Sequence, residues 1–188
     1  MRLTGKRIAI LLAEGVEDLE FYVPLMRLQE EGAEVISAAM KIEPVHGKHG
    51  LEIIPTTRVD SLRASELFAL IVPGGWAPDK LRRYPAVTNL VKEMDAAGKI
   101  VAIICHGGLV AISADIVRGR RATGSLGIKD DLINAGATWV DEPAFREALS
   151  AILRISTGER APISCWHVNA VQFDAKAAEP AAKPAGSI

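Results

Sequence analysis

A cysteine in the stretch AIICHGG, residues 102–108, has the surroundings of a nucleophile. It follows the apolar run Lys99–Ile104, which is typical of a buried strand, and His106 comes directly after it. Two glycines then allow a helix to pack closely, so the pattern predicts the sharp strand-to-helix turn known as a nucleophile elbow. A helix N-terminus, an adjacent imidazolium and backbone N–H groups all favour a thiolate, and we therefore expect a lowered pKa of Cys105. The residues leave one alternative open, a buried cysteine that packs as a small apolar side chain.

Two other groups that could take part in chemistry also follow apolar runs. The acidic segment Glu14–Glu20 comes after the run Arg7–Leu12, and the pair Gly74 and Gly75 comes after the run Phe68–Val72. Ligand sites of parallel sheets lie beyond the carboxyl ends of the strands. The sequence therefore predicts that these groups and the cysteine meet at one edge of a sheet.

Strands and helices alternate along the chain, which predicts an α/β fold with a mostly parallel sheet and helices on both of its faces. Pro24 interrupts the first helical pattern, so we expect a kink or a late start there. The remaining predicted elements are helices over Glu17–Glu31, Pro85–Ala97, Gly107–Val117 and Asp130–Ala135, strands over Glu34–Ala38 and Thr138–Val140, and a loop or hairpin over Lys41–Ile54.

Length and composition favour one globular domain. The 188 residues carry a net charge of −1, with 49% hydrophobic and 24% charged residues. This balance offers no attraction to nucleic acid or to an anionic membrane surface, and no apolar run is long enough to span a bilayer. We expect a cytoplasmic protein with a single domain over residues 1–173. The Ala-, Pro- and Lys-rich residues 174–188 predict a disordered tail.

Other possible sites have weaker signals. His46 and His49, with two residues between them, could suggest a metal pair, but no Cys or carboxylate cluster with zinc spacing accompanies them. Cys165 precedes Trp166 and His167 but lacks a glycine-rich turn. No phosphate-binding glycine motif is present in the sequence. We therefore expect neither a metal nor a cofactor.

Five motifs, taken together and in this order along the chain, carry a resemblance to a known family. They are EGVEDLE at 14–20, GKHG at 47–50, VPGGWAPDKLR at 72–82, AIICHGG at 102–108 and GIKDDLINAGATWVD at 127–141. The sequence resembles the PfpI-type branch of the ThiJ/PfpI superfamily, to which the Parkinson's-associated protein deglycase belongs, over roughly residues 6–142. The resemblance implies a flavodoxin-like α/β sandwich with Cys105 as its reactive residue.

The resemblance also implies an acid from the first strand–helix turn that hydrogen-bonds the sulfur. Glu17 and Glu20 both qualify, since residues three apart share a helix face, and the register of the motif favours Glu20. A carboxyl group beside a thiolate has a raised pKa and donates a proton as a neutral acid. For Glu17 the alternative is a favourable charge at a helix N-terminus.

In PfpI-type proteins the histidine after the cysteine pairs with an acid from a neighbouring subunit. The matching residue here is Asp79, an aspartate where the family usually has a glutamate. The resemblance thus implies that His106 works with Asp79 across an interface of a homodimer or higher homo-oligomer. The alternative for Asp79 is a helix cap after Pro78.

The family pattern further implies an oxyanion site formed by the backbone N–H groups of Gly75 and His106. Four other residues are expected to line the pocket: Gly74, Trp76, Gly107 and Ser125. Ser125 stands where PfpI-type sites have an aromatic residue. Residues 143–173 do not match the family pattern, so we expect different packing there, with one apolar helix face that includes Phe145 and Leu149.

These features predict a stress-response enzyme in which the Cys105 thiolate adds to reactive carbonyls such as methylglyoxal, glyoxal or their adducts on proteins. An intracellular cysteine peptidase that uses Cys105, His106 and Asp79 is the alternative. A third hypothesis is a redox-sensing or chaperone-like protein in which Cys105 is reversibly oxidised. A glutamine amidotransferase is disfavoured, because His167 is not followed by the acidic partner that class needs.

Overall fold

A six-stranded sheet forms the centre of the molecule. The computed structural model describes residues 2–140 and the backbone of residues 170–172. The sheet strands are β1 (Arg7–Leu11), β2 (Glu34–Ala39), β5 (Thr57–Arg58), β6 (Ala69–Val72), β7 (Ile100–Ile104) and β10 (Ala170–Gln172). Their order across the sheet is β10-β7-β6-β1-β2-β5, and every pair is parallel except β10 with β7. The prediction of a mostly parallel sheet is confirmed.

The strands that carry the site are the most deeply buried. Apart from Arg7 at its start, the residues of β1 are buried, as are all those of β6, which matches their apolar sequence. The chain moves from β1 to β2 in one direction across the sheet and from β6 to β7 in the other. Right-handed crossovers therefore place the intervening helices on opposite faces. The direction reverses between β1 and β6, which is where ligands bind in open α/β sheets.

The helices are α1 (Asp18–Glu30), α2 (Ala77–Leu81), α3 (Pro85–Ala96), α4 (Gly108–Ser113) and α5 (Lys129–Asn134). Of the two outcomes expected at Pro24, a kink or a late start, the late start does not occur, because α1 begins at Asp18 and continues through the proline. The helix predicted to reach Val117 ends at Ser113, and Asp115 then takes a positive φ of 55°. The short helix α2 was not predicted from the sequence.

Two small ribbons complete the described fold. The segment predicted as a loop or hairpin contains β3 (Val45–His46) and β4 (Glu52–Ile53), which pair antiparallel. The strands β8 (Arg121–Ala122) and β9 (Thr138–Trp139) pair in parallel.

Within the described residues, no helix has the length and apolar character needed to cross a bilayer. The predicted apolar helix face at Phe145 and the tail over residues 174–188 lie outside the described residues, as does the Cys165 motif.

Candidate active site

Cys105 occupies the strained turn that the sequence predicted. Its φ is +54°, in the left-handed region that residues other than glycine rarely adopt. Cys105 directly follows β7 and is the first residue of a single 3₁₀ turn over Cys105–Gly107. A Cβ at Gly107 would lie 2.5 Å from the carbonyl oxygen of Val72, and one at Gly108 would lie 2.7 Å from Ile128 Cδ1. The two glycines thus let the turn pack closely against β6 and against Ile128, the residue before α5.

Glu20 is the acid that reaches the sulfur. Its carboxyl group lies beside Cys105, whose thiol lowers its pKa, and its Oε2 accepts the backbone N–H of Gly74 at 2.6 Å. A Cβ at Gly74 would lie 2.7 Å from that oxygen and 2.8 Å from Cys105 Cβ, so only glycine leaves room for the contact. Burial, aided by the charge of Glu17, raises the pKa of Glu20 to about 7 against the opposing effect of the Gly74 N–H. The raised pKa agrees with the expectation for this carboxyl group.

The pKa of the Cys105 thiol differs from the value expected from the sequence. Burial, aided by the negative charge of Glu20, raises the pKa of Cys105 to about 11 against the opposing effect of the N–H groups of His106 and Gly75. The expected lowering of this pKa is therefore wrong for the free site. The helix that follows has only six residues and starts three residues after the cysteine, so its dipole contributes little. Above about pH 7 the pair holds one proton, which lies on the sulfur, and the ionised Glu20 is placed to accept it.

Two backbone donors converge on the sulfur, those of Gly75 and His106. Gly75 has a φ of +74°, and a Cβ there would lie 2.4 Å from the carbonyl oxygen of Gly15. The segment around Gly15 holds this loop in place, because its carbonyl accepts the Trp76 N–H at 2.7 Å. The pair has the arrangement that stabilises a developing oxyanion next to a nucleophile.

The imidazole of His106 lies beside the nucleophile, with Nδ1 at 3.2 Å from Cys105 Sγ. Ser125 supports this corner of the site. Its N–H donates to the Cys105 carbonyl at 3.3 Å, and its hydroxyl accepts the Gly127 N–H at 3.3 Å. A Cβ at Gly127 would lie 3.5 Å from His106 Nε2, so the turn that Ser125 begins adjoins the imidazole.

The Glu17 carboxylate contacts the loop over residues 47–50 and not the sulfur. The backbone N–H of Glu17 donates to the Gly74 carbonyl at 3.2 Å, which joins the start of α1 to the loop after β6. Its carboxylate contacts His49 Nε2 at 3.1 Å and Lys48 Nζ at 3.6 Å. Of the two acids that the sequence left open, Glu20 contacts the thiol and Glu17 contacts the loop over residues 47–50.

Asp79 and Trp76 lie at the exposed rim. Asp79 is in the first turn of α2, and its carboxylate pairs with Arg83 in the next turn of the same helix. Within this chain the structure does not bring Asp79 to His106. Trp76 is 62% exposed, and Lys48 Nζ lies 5.9 Å from the centre of its ring. Both residues are free to face a substrate or a second subunit.

Sequence reasoning did not anticipate the role of the GKHG motif. Asp18, which is 2% exposed, accepts the backbone N–H of His49 at 2.8 Å and that of Leu51 at 3.0 Å. Burial opposes ionisation of this carboxyl group, but the two N–H donors outweigh it and lower the pKa of Asp18. His46 instead lies 3.8 Å from both Glu14 and Glu52. The two histidines considered as a pair thus have different partners.

Comparison with known proteins identifies relatives of this chain. The model of the DJ-1/PfpI family matches residues 6–153. A protein of Pyrococcus abyssi named a deglycase is 44% identical over 135 residues, which cover 72% of this chain and 81% of that protein. The Bacillus subtilis protein YraA, named as a candidate cysteine protease, is 36% identical over 138 residues, which cover 73% of this chain and 82% of that one.

A solved structure also resembles the chain. It is a two-domain protein of Anabaena variabilis that contains a DJ-1/ThiJ/PfpI-like domain and a ferritin-like domain. The likeness has a TM-score of 0.74 and 36% identity, and covers 78% of this chain and 48% of the other. It involves the architecture described above, a mostly parallel sheet with flanking helices.

Proposed function

The chain belongs to the DJ-1/PfpI family, and on that premise we propose that it is a cysteine-dependent enzyme acting on reactive carbonyls without a cofactor. Its substrates are methylglyoxal, glyoxal or the early adducts that these aldehydes form on proteins. The names of the related deglycases support this substrate class. The single observation that carries the proposal is the convergence of the Glu20 carboxyl group and two backbone N–H donors on Cys105.

Glu20 is proposed to act as the base in the first step. It takes the thiol proton as the sulfur of Cys105 bonds to the aldehyde carbon, and the electron pair of the carbonyl bond moves to the oxygen. The N–H groups of Gly75 and His106 stabilise that oxyanion. Protonation of the oxygen then gives a hemithioacetal. For an early adduct on a protein amine, the carbon–sulfur bond replaces the carbon–nitrogen bond, and the amine leaves with a proton.

The later steps are an internal oxidation and reduction. A base, His106 or Glu20, removes the hydrogen of the former aldehyde carbon as a proton, and a proton returns to the neighbouring carbon. The first carbon is thereby oxidised to a thioester and the second is reduced to an alcohol. Water then attacks the thioester, the carbon–sulfur bond breaks, and a hydroxy acid leaves with the thiol restored. Methylglyoxal plus water gives lactate, so no external oxidant or reductant is needed.

The setting of this activity is part of the same proposal. We place the enzyme in the cytoplasm, as a homodimer or higher homo-oligomer in which Asp79 of one subunit approaches His106 of another. Asp79 is exposed on α2, which is compatible with such a contact. Trp76 beside the site is proposed to contact the substrate. Neither nucleic acid nor a membrane is a proposed partner.

Cysteine peptidase activity is the second candidate, and one contact favours it. His106 Nδ1 lies 3.2 Å from Cys105 Sγ, within reach of the proton that a peptidase base would remove. The related protein YraA is named as a candidate cysteine protease, and that name supports the same activity. In this hypothesis Asp79 completes a triad from a second subunit.

Lactate formation from methylglyoxal, measured beside casein cleavage by the same preparations, tests the proposal. Wild type is compared with Cys105→Ser, which keeps the size of the side chain. Lactate formed by the wild type and abolished in the variant supports the carbonyl activity. Cys105-dependent casein cleavage without lactate supports the peptidase. If a folded sample gives neither product, the proposal is wrong and reversible oxidation of Cys105 becomes the leading hypothesis.

A further inference from the structure

The loop over residues 47–50, here called the GKHG loop, is fixed by contacts with the start of α1. A Cβ at Gly47 would lie 2.2 Å from Asp18 Oδ1, so only glycine allows the loop to lie on the buried carboxylate. Asp18 accepts the N–H of His49, and the Lys48 N–H donates to the Val16 carbonyl at 2.7 Å. Gly50 has a φ of +93°, which returns the chain towards β4. The backbone of the loop is therefore defined, and it determines where its side chains point.

Both side chains between the two glycines contact Glu17. Lys48 Nζ lies 3.6 Å from one carboxylate oxygen, and His49 Nε2 lies 3.1 Å from the other. The Glu17 side chain is 20% exposed, so its charge is only partly screened by water. His49 fixes the position of the carboxylate, while Lys48 supplies a positive charge beside it.

The charge of Glu17 reaches the nucleophile. It raises the pKa values of both Glu20 and Cys105, whereas the charge of Lys48 lowers the pKa of Glu20. A positive charge that offsets Glu17 therefore lowers the pKa values of both groups and favours ionisation of the thiol.

We propose that Lys48 is a positioning residue that holds the Glu17 carboxylate at the mouth of the site and offsets its charge next to Glu20 and Cys105. The inference deepens the proposed function by assigning control of the nucleophile to the GKHG loop, and it rests on Cys105 being that nucleophile. Lys48 touches neither the sulfur nor any reacting atom in this role. It acts through Glu17.

The other charged groups near the site belong to α1, the GKHG loop, the turn after β7 and α2, and none of them is removed by a substitution at Lys48. They are Glu20 on α1, Asp18 beneath the GKHG loop, His49 within it, His106 in the turn after β7, and Lys80 on α2, whose Nζ donates to the Glu14 carbonyl at 3.0 Å. A difference between Lys48 variants in thiol titration therefore reports on the charge at residue 48.

Alkylation of Cys105 by iodoacetamide across pH tests this inference. The modified Cys105 peptide is followed by mass spectrometry, so that Cys165 does not contribute. Lys48→Met is expected to react about two- to fivefold more slowly at pH 7, with the midpoint of its pH profile moved upward. Lys48→Arg keeps the charge and should restore the wild-type profile. The matched control is Lys92→Met, which removes an exposed lysine from α3 and should leave the profile unchanged.

The route through Glu17 is tested by a double-mutant cycle. Glu17→Gln should speed alkylation, and the effect of Lys48→Met should fall to less than half in the Glu17→Gln background. A Lys48→Met profile equal to wild type overturns the inference, as does an equal effect of Lys48→Met with and without the Glu17 carboxylate. Because iodoacetamide reports thiol ionisation whether or not methylglyoxal is turned over, this result is separate from failure of the proposed function.

Discussion

Glu20 Oε2 lies 2.6 Å from the backbone nitrogen of Gly74, and a Cβ at Gly74 would fill the space between them. This contact joins α1 to the loop after β6 directly beside the thiol. The contact fixes one oxygen of the Glu20 carboxyl group, and the same carboxyl group also interacts with the Cys105 thiol. The chemistry of the site thus depends on a carboxyl group that is held by the backbone of a neighbouring strand end.

Glu20→Gln should stabilise the fold at high pH. The pKa of Glu20 is raised by burial to about 7 in the folded chain, so its contribution to stability is complete below an unfolded value near 4.5 and is lost as pH rises through 7. Glutamine is neutral at every pH and still offers an oxygen to Gly74. We expect the free energy of unfolding to rise by about 3 kcal/mol at pH 8, with no gain at pH 4. Urea denaturation at both values measures this, and an equal difference at the two would contradict it.

Turnover of methylglyoxal should increase with pH through about 7 because Glu20 must be ionised to accept the thiol proton, and its pKa is raised to about 7. The measurement is lactate formation between about pH 5.5 and 8.5 under subsaturating substrate. A rate that is already constant below about pH 6 would exclude Glu20 as the base. Glu20→Gln, which cannot accept the proton, should lower the rate at least about 100-fold and remove this rise.

Gly75→Ala should disrupt the site far more than Gly50→Ala. Both positions have positive φ, 74° and 93°, but a Cβ at Gly75 would lie 2.4 Å from the Gly15 carbonyl, whereas Gly50 has open space. The Gly50 variant therefore measures backbone strain alone, about 1 kcal/mol. We expect the Gly75 variant to lose more than about 2 kcal/mol and to alkylate more slowly. Thermal unfolding and iodoacetamide kinetics measure both, and equal effects at the two positions would be inconsistent with the described junction.

Asp79→Ala should lower carbonyl turnover without changing alkylation of the thiol. The Asp79–Arg83 pair is exposed, so its loss should change stability by less than about 0.5 kcal/mol. Arg83→Ala is the matched control, since it removes the same ion pair and keeps the carboxylate. Turnover is measured beside the oligomeric state by light scattering. If both variants turn over methylglyoxal at the wild-type rate in an assembled sample, Asp79 has no part in the reaction.

The fold was largely predictable because its main strands are continuous apolar runs. The run Lys99–Ile104 predicted β7 to within one residue, and Phe68–Val72 likewise predicted β6. The five-residue helix α2 was missed because it is too short to show a helical apolar period, although Pro78 in its first turn is typical of a helix start. The end of α4 was misplaced because the apolar pattern continues to Val117 although the helix ends at Ser113.

The site was predictable in its residues and less so in its electrostatics. The pattern around Cys105 indicates N–H donors and a following helix, and both are present. It contains no measure of burial, which is a tertiary property and raises the pKa of Cys105. The contact of Lys48 with Glu17 joins residues from a hairpin loop and a helix start, so no local spacing indicates it.

The last described strand has a consequence for how the protein is made. Ala170 pairs with Ile104, the residue immediately before the nucleophile, across an antiparallel edge. About 65 residues separate the two, and a ribosome adding about 5–20 residues per second needs several seconds to synthesise that stretch. During this interval the cysteine has emerged from the ribosome before its neighbouring strand exists. A nascent chain therefore holds a thiol with one side of its sheet still open to chaperones, oxidants and aldehydes.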